Sequence, residues 1–155
     1  MPAADSDILM MMGSSITLPQ LELLAAEGWQ DYALLDSGNG QKLERFGQYR
    51  LVRPEAEAVW QPTLPPSEWK SPDAIYKPAP EENGGHWQYQ RKLPERWKMS
   101  YKNLSFWVQT SASRHLGVFP DQSCQWDWAE QVIRQAGGKP RILNLFGYTG
   151  LASLA

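Results

Sequence analysis

The stretch Arg141–Ala155, R-I-L-N-L-F-G-Y-T-G-L-A-S-L-A, decides how this sequence is read. Ile142 to Phe146 is a short apolar run of the kind a buried parallel strand needs, since such a strand is covered on both faces. Gly147 and Gly150 bracket a turn, and Leu151 to Ala155 opens a helix. Strand, glycine turn and helix start make the first βα corner of a doubly wound sheet, where nucleotide-like ligands sit. One corner cannot bury its own apolar faces, so the sequence reads as the front part of a larger unit.

Upstream of that corner, Asp121 to Ala136 has helical spacing, with Trp126, Ala129, Ile133 and Ala136 on one face. Asp121 or Ser123 is the expected N-cap, and Gly137-Gly138 the stop. Leu104 to Gln109 alternates apolar and polar residues, the pattern of a half-buried strand. Pro54 to Pro80 holds seven of the twelve prolines and is expected to be a loop or an extended strap. Tyr32–Asp36, Lys42–Phe46 and Tyr49–Arg53 are separated by S-G-N-G at 37–40 and by Gly47-Gln48, which predicts an antiparallel meander. Ala58 to Trp60 is a candidate additional strand. Leu18 to Glu27 carries apolar residues at 18, 21, 24 and 25, the spacing of one short helix, with Gly28 as its stop.

These elements predict an α+β chain leading into α/β. Residues 1–17 form a leader and 18–82 a small β-rich accessory domain with its proline-rich strap. Residues 83–155 begin a cofactor-binding domain whose remainder lies beyond Ala155. Self-association through the uncovered apolar C-terminal run is expected.

Composition narrows the function classes. With 42% hydrophobic and 21% charged residues the chain is globular. A net charge of −2 gives no global basic field to recruit nucleic acid. The single cysteine, Cys124, excludes an intrachain disulfide and fits the cytoplasm. The apolar run Ile8–Met12 follows Asp5 and Asp7 and is too short for a signal peptide or a membrane helix, so no membrane partner is expected. Two histidines and one cysteine make no metal-ligand set. Cys124 lies in the first turn of the expected helix and reads as a small buried hydrophobe rather than a nucleophile. His115 precedes a glycine and reads as packed or solvent-facing; His86 reads as loop.

Taken alone, G-Y-T-G is a weak signal, being neither G-x-G-x-x-G nor a phosphate loop. Its surroundings add to it. His115–Gln122, H-L-G-V-F-P-D-Q, followed by a helix and then I-L-N-L-F-G-Y-T-G, resembles the class I S-adenosylmethionine-dependent methyltransferases related to the large-subunit rRNA cytosine methyltransferases. In that family G-x-F-x-[DE]-Q precedes one helix and the N-x-F-x-Y-T-G loop. The resemblance covers roughly residues 30 to 155, including the meander D-S-G-N-G-Q-K-L-E-R-F-G-Q-Y-R-L-V-R-P.

The resemblance implies S-adenosyl-L-methionine as cofactor, held by Phe119, Asp121, Gln122, Asn144, Phe146, Gly147, Tyr148, Thr149 and Gly150. Many members carry arginine after the Gln, where this chain has Ser123. The ribose-gripping acid, the [DN]-P-P-type motif and the catalytic residues are expected beyond Ala155, so the 155-residue chain is not expected to catalyse alone. An RNA substrate follows from the resemblance, with local support from the basic-aromatic segment 88–102, Q-Y-Q-R-K-L-P-E-R-W-K-M-S-Y-K. The eight tryptophans serve either as core or as a stacking platform. Two other classes stand beside this one. A nicotinamide or flavin oxidoreductase would begin with the same corner but lacks G-x-G-x-x-G. A non-catalytic RNA- or protein-binding module would carry the corner as a vestige.

Overall fold

The computed structural model describes residues 23–79 and 84–155. The meander forms as the turn residues dictate. β1 (Tyr32–Gly38), β2 (Gln41–Phe46) and β3 (Tyr49–Pro54) pair antiparallel, Gly38 opposite Gln41 and Phe46 opposite Tyr49. Asn39 and Gly40 both take positive φ, +51° and +73°, the requirement of a two-residue turn whose twist matches its strands. A register shift between Leu34 and Asp36 bulges β1.

The proline-rich segment is more ordered than a strap. It contains α1 (Pro66–Trp69) and β4 (Ala74–Pro78). β4 pairs parallel with β3 over Leu51–Ala74 and Val52–Ile75, and antiparallel with β5 (Gly85–Tyr89). Pro72 and Pro78 flank this ladder rather than interrupt it, with Pro78 opposite Gly85 at its end, and that is how a strand survives here. Asp36 ties the segment to β1, accepting from the N–H groups of Thr63 and Leu64 and from the Trp69 indole. Burial pushes its carboxyl up, but these donors outweigh burial and hold it below the usual carboxylate value. Ala58–Trp60 is not a strand: its carbonyls at 58 and 60 accept from Gly40 and Asn39, capping the hairpin tip.

Five strands in the order β1-β2-β3-β4-β5 make the main sheet, and β6 (Trp97–Tyr101) pairs with β7 (Leu104–Val108) in a second. Position 82/83, which separates the two expected units, falls between β4 and β5, neighbours in one sheet. One apolar cluster joins Phe46, Leu51, Tyr76 and Trp87 to Met99, Tyr101, Phe106 and Trp126. Trp29 packs on this cluster, and its indole N–H donates to the Pro120 carbonyl at 3.1 Å and to Ser123 Oγ at 3.0 Å.

A 3₁₀ turn, Pro120–Gln122, feeds α2 (Ser123–Ala136), which Gly137 ends at φ +65°. Neither expected N-cap serves: Gln122 holds that position without a side-chain bond, and the Ser123 hydroxyl is buried against Trp29. On the expected apolar face Trp126 is buried and Ala129 half-buried, while Ile133 and Ala136 are exposed. α3 (Leu151–Leu154) follows the glycine turn.

Two further sequence expectations are corrected. Ile142–Phe146 forms no strand and is exposed, Phe146 to 90%. A parallel strand exists only through neighbours on its hydrogen-bonding edges, and no described strand pairs with this run. The expected helix 18–27 lies outside the described residues up to 22, and from 23 onward it is not helical. Leu23 is 96% exposed, so the described part of that segment gains little from burial, and a few residues do not sustain a helix alone. The leader 1–17 also lies outside the described residues. Among the described residues no helix is long and apolar enough to cross a membrane.

Candidate functional site

A cleft of about 350 Å³ opens where the 115–122 segment, α2 and the glycine turn meet. Each wall has a local cause. Gly117, at φ +93°, bends the chain after Leu116 and leads to Val118; both of those apolar neighbours are buried in the core. Phe119 then faces the turn, its ring centroid 5.2 Å from that of Tyr148 and 4.9 Å from that of His115. The turn itself closes by a bond from Gly150 N–H to the Gly147 carbonyl at 2.6 Å, with Tyr148 at φ +46° and Gly150 at φ +85°. Thr149 Oγ1 donates to the Gly117 carbonyl at 2.7 Å and fastens the two walls together.

Six of the nine residues implied by the resemblance line this cleft: Phe119, Gln122, Phe146, Gly147, Tyr148 and Thr149. Three do not. Asn144 shapes the turn from behind, its Oδ1 accepting from Phe146 N–H at 3.0 Å and its Nδ2 donating to Ser153 Oγ at 2.8 Å. Gly150 supplies the left-handed residue that ends the turn. Asp121 lies outside the cleft and lines a neighbouring cavity. Lining residues beyond those nine are Gly117, Val118, Trp126, Leu151 and Ala152. Gly117 and Val118 stand within the 115–122 motif, Trp126 on the helix face and Leu151 and Ala152 in the helix start already noted, but nothing in their spacing marked them as lining.

Among the described residues the cleft carries no charged side chain and four aromatic rings, Phe119, Trp126, Phe146 and Tyr148. Such a lining receives a flat heterocycle by stacking and a cation through the ring quadrupoles. Its volume falls in the range of small-molecule sites, about 300–1,000 Å³. Beyond Phe119, in the wall of the neighbouring cavity, burial and then the charges of Arg114, Arg53 and Lys42 hold the His115 imidazole below its ordinary value, so it is neutral near pH 7. Cys124 donates its thiol to the Asp121 carbonyl and is not among the lining residues. Among the described residues no group of three or more His, Cys, Asp or Glu side chains could hold a metal ion.

Within 88–102, Trp97, Met99 and Tyr101 belong to the core. Arg91 pairs with Asp73, and Lys102 with Asp127. Arg96 and Lys98 are exposed beside Trp107, whose ring is 58% exposed; Lys98 is its cross-strand partner and the Arg96 guanidinium sits 4.8 Å from the ring centroid.

No family model and no curated protein matches the chain. Among solved structures, it is similar to the crystal structure of a SAM-dependent methyltransferase from Agrobacterium tumefaciens. Identity is 43% and the TM-score 0.75, over 83% of this chain and 41% of that one. The mixed α/β architecture with its five-stranded sheet is thus shared with a methyltransferase structure, of whose length the chain spans well under half.

Proposed function

We propose that the chain is the N-terminal part of an S-adenosylmethionine-dependent methyltransferase that acts on RNA in the cytoplasm. The observation that carries this reading is one coincidence: the family-like motifs at 117–122 and 144–150 converge on one uncharged, ring-lined cleft, in a chain 43% identical to a methyltransferase. S-adenosylmethionine, when bound, supplies an electrophilic methyl group on a sulfonium. The residues present fit such a ligand. Phe119, Trp126, Phe146 and Tyr148 offer ring faces to a cation and to an adenine, and the Gln122 amide offers a donor and an acceptor. The bond from Thr149 to Gly117 sets the spacing of the two walls. The β-rich unit and the start of the cofactor-binding unit are what this chain contributes, and the residues that grip the ribose and drive transfer are assigned to the remainder of the enzyme. The exposed run from Ile142 through Phe146 would make the isolated 155-residue chain self-associate.

The RNA assignment is supported by Arg96, Lys98 and Trp107, a basic and aromatic cluster on a chain that is otherwise slightly acidic. Calorimetric titration tests the cofactor reading. We expect S-adenosylhomocysteine to bind and NADH not to; binding of NADH alone would assign the cleft to an oxidoreductase, and binding of neither would leave a vestigial corner.

A further inference from the structure

We infer that Arg53, Tyr76 and Trp87 are positioning residues for the cleft. From three adjacent strands of the main sheet they hold the connection 109–119, and with it the wall formed by Gly117 and Phe119, where a ligand needs it. The inference rests on the cofactor reading above and adds to it a role for the sheet.

The connection has no ladder of its own. After β7 it consists of bends, with one backbone closure from Gln109 N–H to the Leu116 carbonyl at 3.5 Å. Such a segment settles where its polar groups find partners. Three successive carbonyls find theirs on the sheet. The Tyr76 hydroxyl donates to Ala112 at 3.0 Å, the Trp87 indole N–H to Ser113 at 3.3 Å, and Arg53 Nη1 to Arg114 at 3.1 Å. All three donors are buried, whereas residues 112–114 are exposed.

The donors form one row across the sheet. Tyr76 is paired with Trp87 between β4 and β5, their rings 5.4 Å apart and inclined at 72°. Arg53 and Tyr76 each follow the Val52–Ile75 pair by one residue. Glu44 accepts from Arg53 Nε and Nη2 at 2.7 Å each, which fixes the guanidinium and leaves Nη1 for the Arg114 carbonyl.

Packing alone does not fix the wall. Leu116 and Val118 are anchored in the core, but Phe119 stands between two spaces. One is the cleft; the other is a second cavity, of about 520 Å³, between the β1–β3 strands and the 114–121 segment. A ring bordered by open space on two sides gains few contacts there and takes its place from the backbone that carries it. That backbone is held at 112–114 by the sheet and at Gly117 by Thr149. Releasing the sheet end leaves the wall room to drift toward the second cavity.

Conservative substitutions remove the donors and little else. Tyr76→Phe and Trp87→Phe keep an aromatic ring at each position, and Arg53→Lys keeps a cation beside Glu44 without the planar fork. Each lost bond should raise the displaced population about fivefold. Trypsin reads this at Arg114, because cleavage draws on the displaced form. In the full chain we expect the cut after Arg114, identified by mass, to accelerate about fivefold in Arg53→Lys and about 25-fold in the Tyr76→Phe, Trp87→Phe double variant. Saturating S-adenosylhomocysteine should slow that cut in wild type. By calorimetry the double variant should bind S-adenosylhomocysteine at least about fivefold less tightly, since the ligand must now restore the wall itself. Trp69→Phe is the control: it breaks an indole bond of the same kind, to Asp36 on the opposite edge strand, and should change neither readout.

Unchanged affinity in the double variant while wild type binds overturns the inference and leaves the cofactor reading standing. So does a loss equalled by Trp69→Phe, or a loss without a faster cut after Arg114. Failure of the wild-type protein itself to bind S-adenosylhomocysteine overturns the cofactor reading, and the inference falls with it.

Discussion

Thr149 and Gly117, 32 residues apart, are joined by a 2.7 Å bond from the threonine hydroxyl to the glycine carbonyl. This contact turns two chain segments into one cleft. Replacing Thr149 with Val removes the donor at nearly constant volume, at a cost of about 1 kcal/mol, or about fivefold in ligand affinity. Calorimetry with S-adenosylhomocysteine should read that loss, Thr149→Ser should restore the affinity, and the melting temperature should stay close to wild type in both.

Gly150 tests the turn from the backbone side. Its φ of +85° lies in the left-handed region, and a Cβ there would meet no atom within 4 Å. The cost of Gly150→Val is therefore conformational rather than steric, about 1–2 kcal/mol. We expect the turn to reshape and ligand binding to weaken about five- to thirtyfold while the near-ultraviolet circular dichroism of the tryptophan-rich core is unchanged. Gly150→Asn, which tolerates this φ, should keep much of the binding.

Glu44 and Arg53 form a buried pair beneath the second cavity. Removing one member strands the other's charge, so Arg53→Met should destabilise the protein by about 3–5 kcal/mol. Chemical denaturation of Arg53→Met, Glu44→Leu and the double variant measures the coupling, and the double variant should recover much of the loss.

His115 gives a pH dependence of definite sign. Its folded value is depressed, first by burial and then by Arg114, Arg53 and Lys42, so the unfolded chain takes up the proton first as pH falls through about 6.5. This contribution is fully present above that pH and is lost as pH drops through the folded value. Denaturation midpoints between pH 7 and 5 should fall more steeply in wild type than in His115→Asn. Losses traceable to Asp36 and Glu55, both held below their ordinary values, belong to a more acidic window.

The exposed cluster on β6 and β7 separates charge from stacking. Arg96→Ala with Lys98→Ala should lower the log–log salt slope of single-stranded RNA binding by about 1.4. Trp107→Ala should weaken binding by about 1–3 kcal/mol and leave that slope intact. Fluorescence titrations across a salt series report both.

The meander and α2 were legible because their signals are local: Asn39-Gly40 and Gly47 set the turns, and Gly137 ends the helix. The cleft was legible in its turn and in Phe119 and Gln122, since those residues sit within short motifs. β4 was hidden because its ladder depends on β3, more than twenty residues away, while the prolines at its ends carry the local signal. Trp97 and Tyr101 read as members of a surface patch because strand alternation, which puts them inward and Lys98 outward, appears only once β6 pairs with β7. Ile142–Phe146 has the composition of a strand without a described partner to make it one.

Phe119 borders both cavities, and that shared wall has a thermodynamic consequence. An occupant that fixes the ring on one side changes the shape and the ordering cost met on the other. Linkage makes the effect reciprocal: whatever factor the first ligand imposes on the second, the second imposes on the first. Affinities measured singly would then not multiply in the ternary complex, and their departure from independence is a quantity that one aromatic side chain controls.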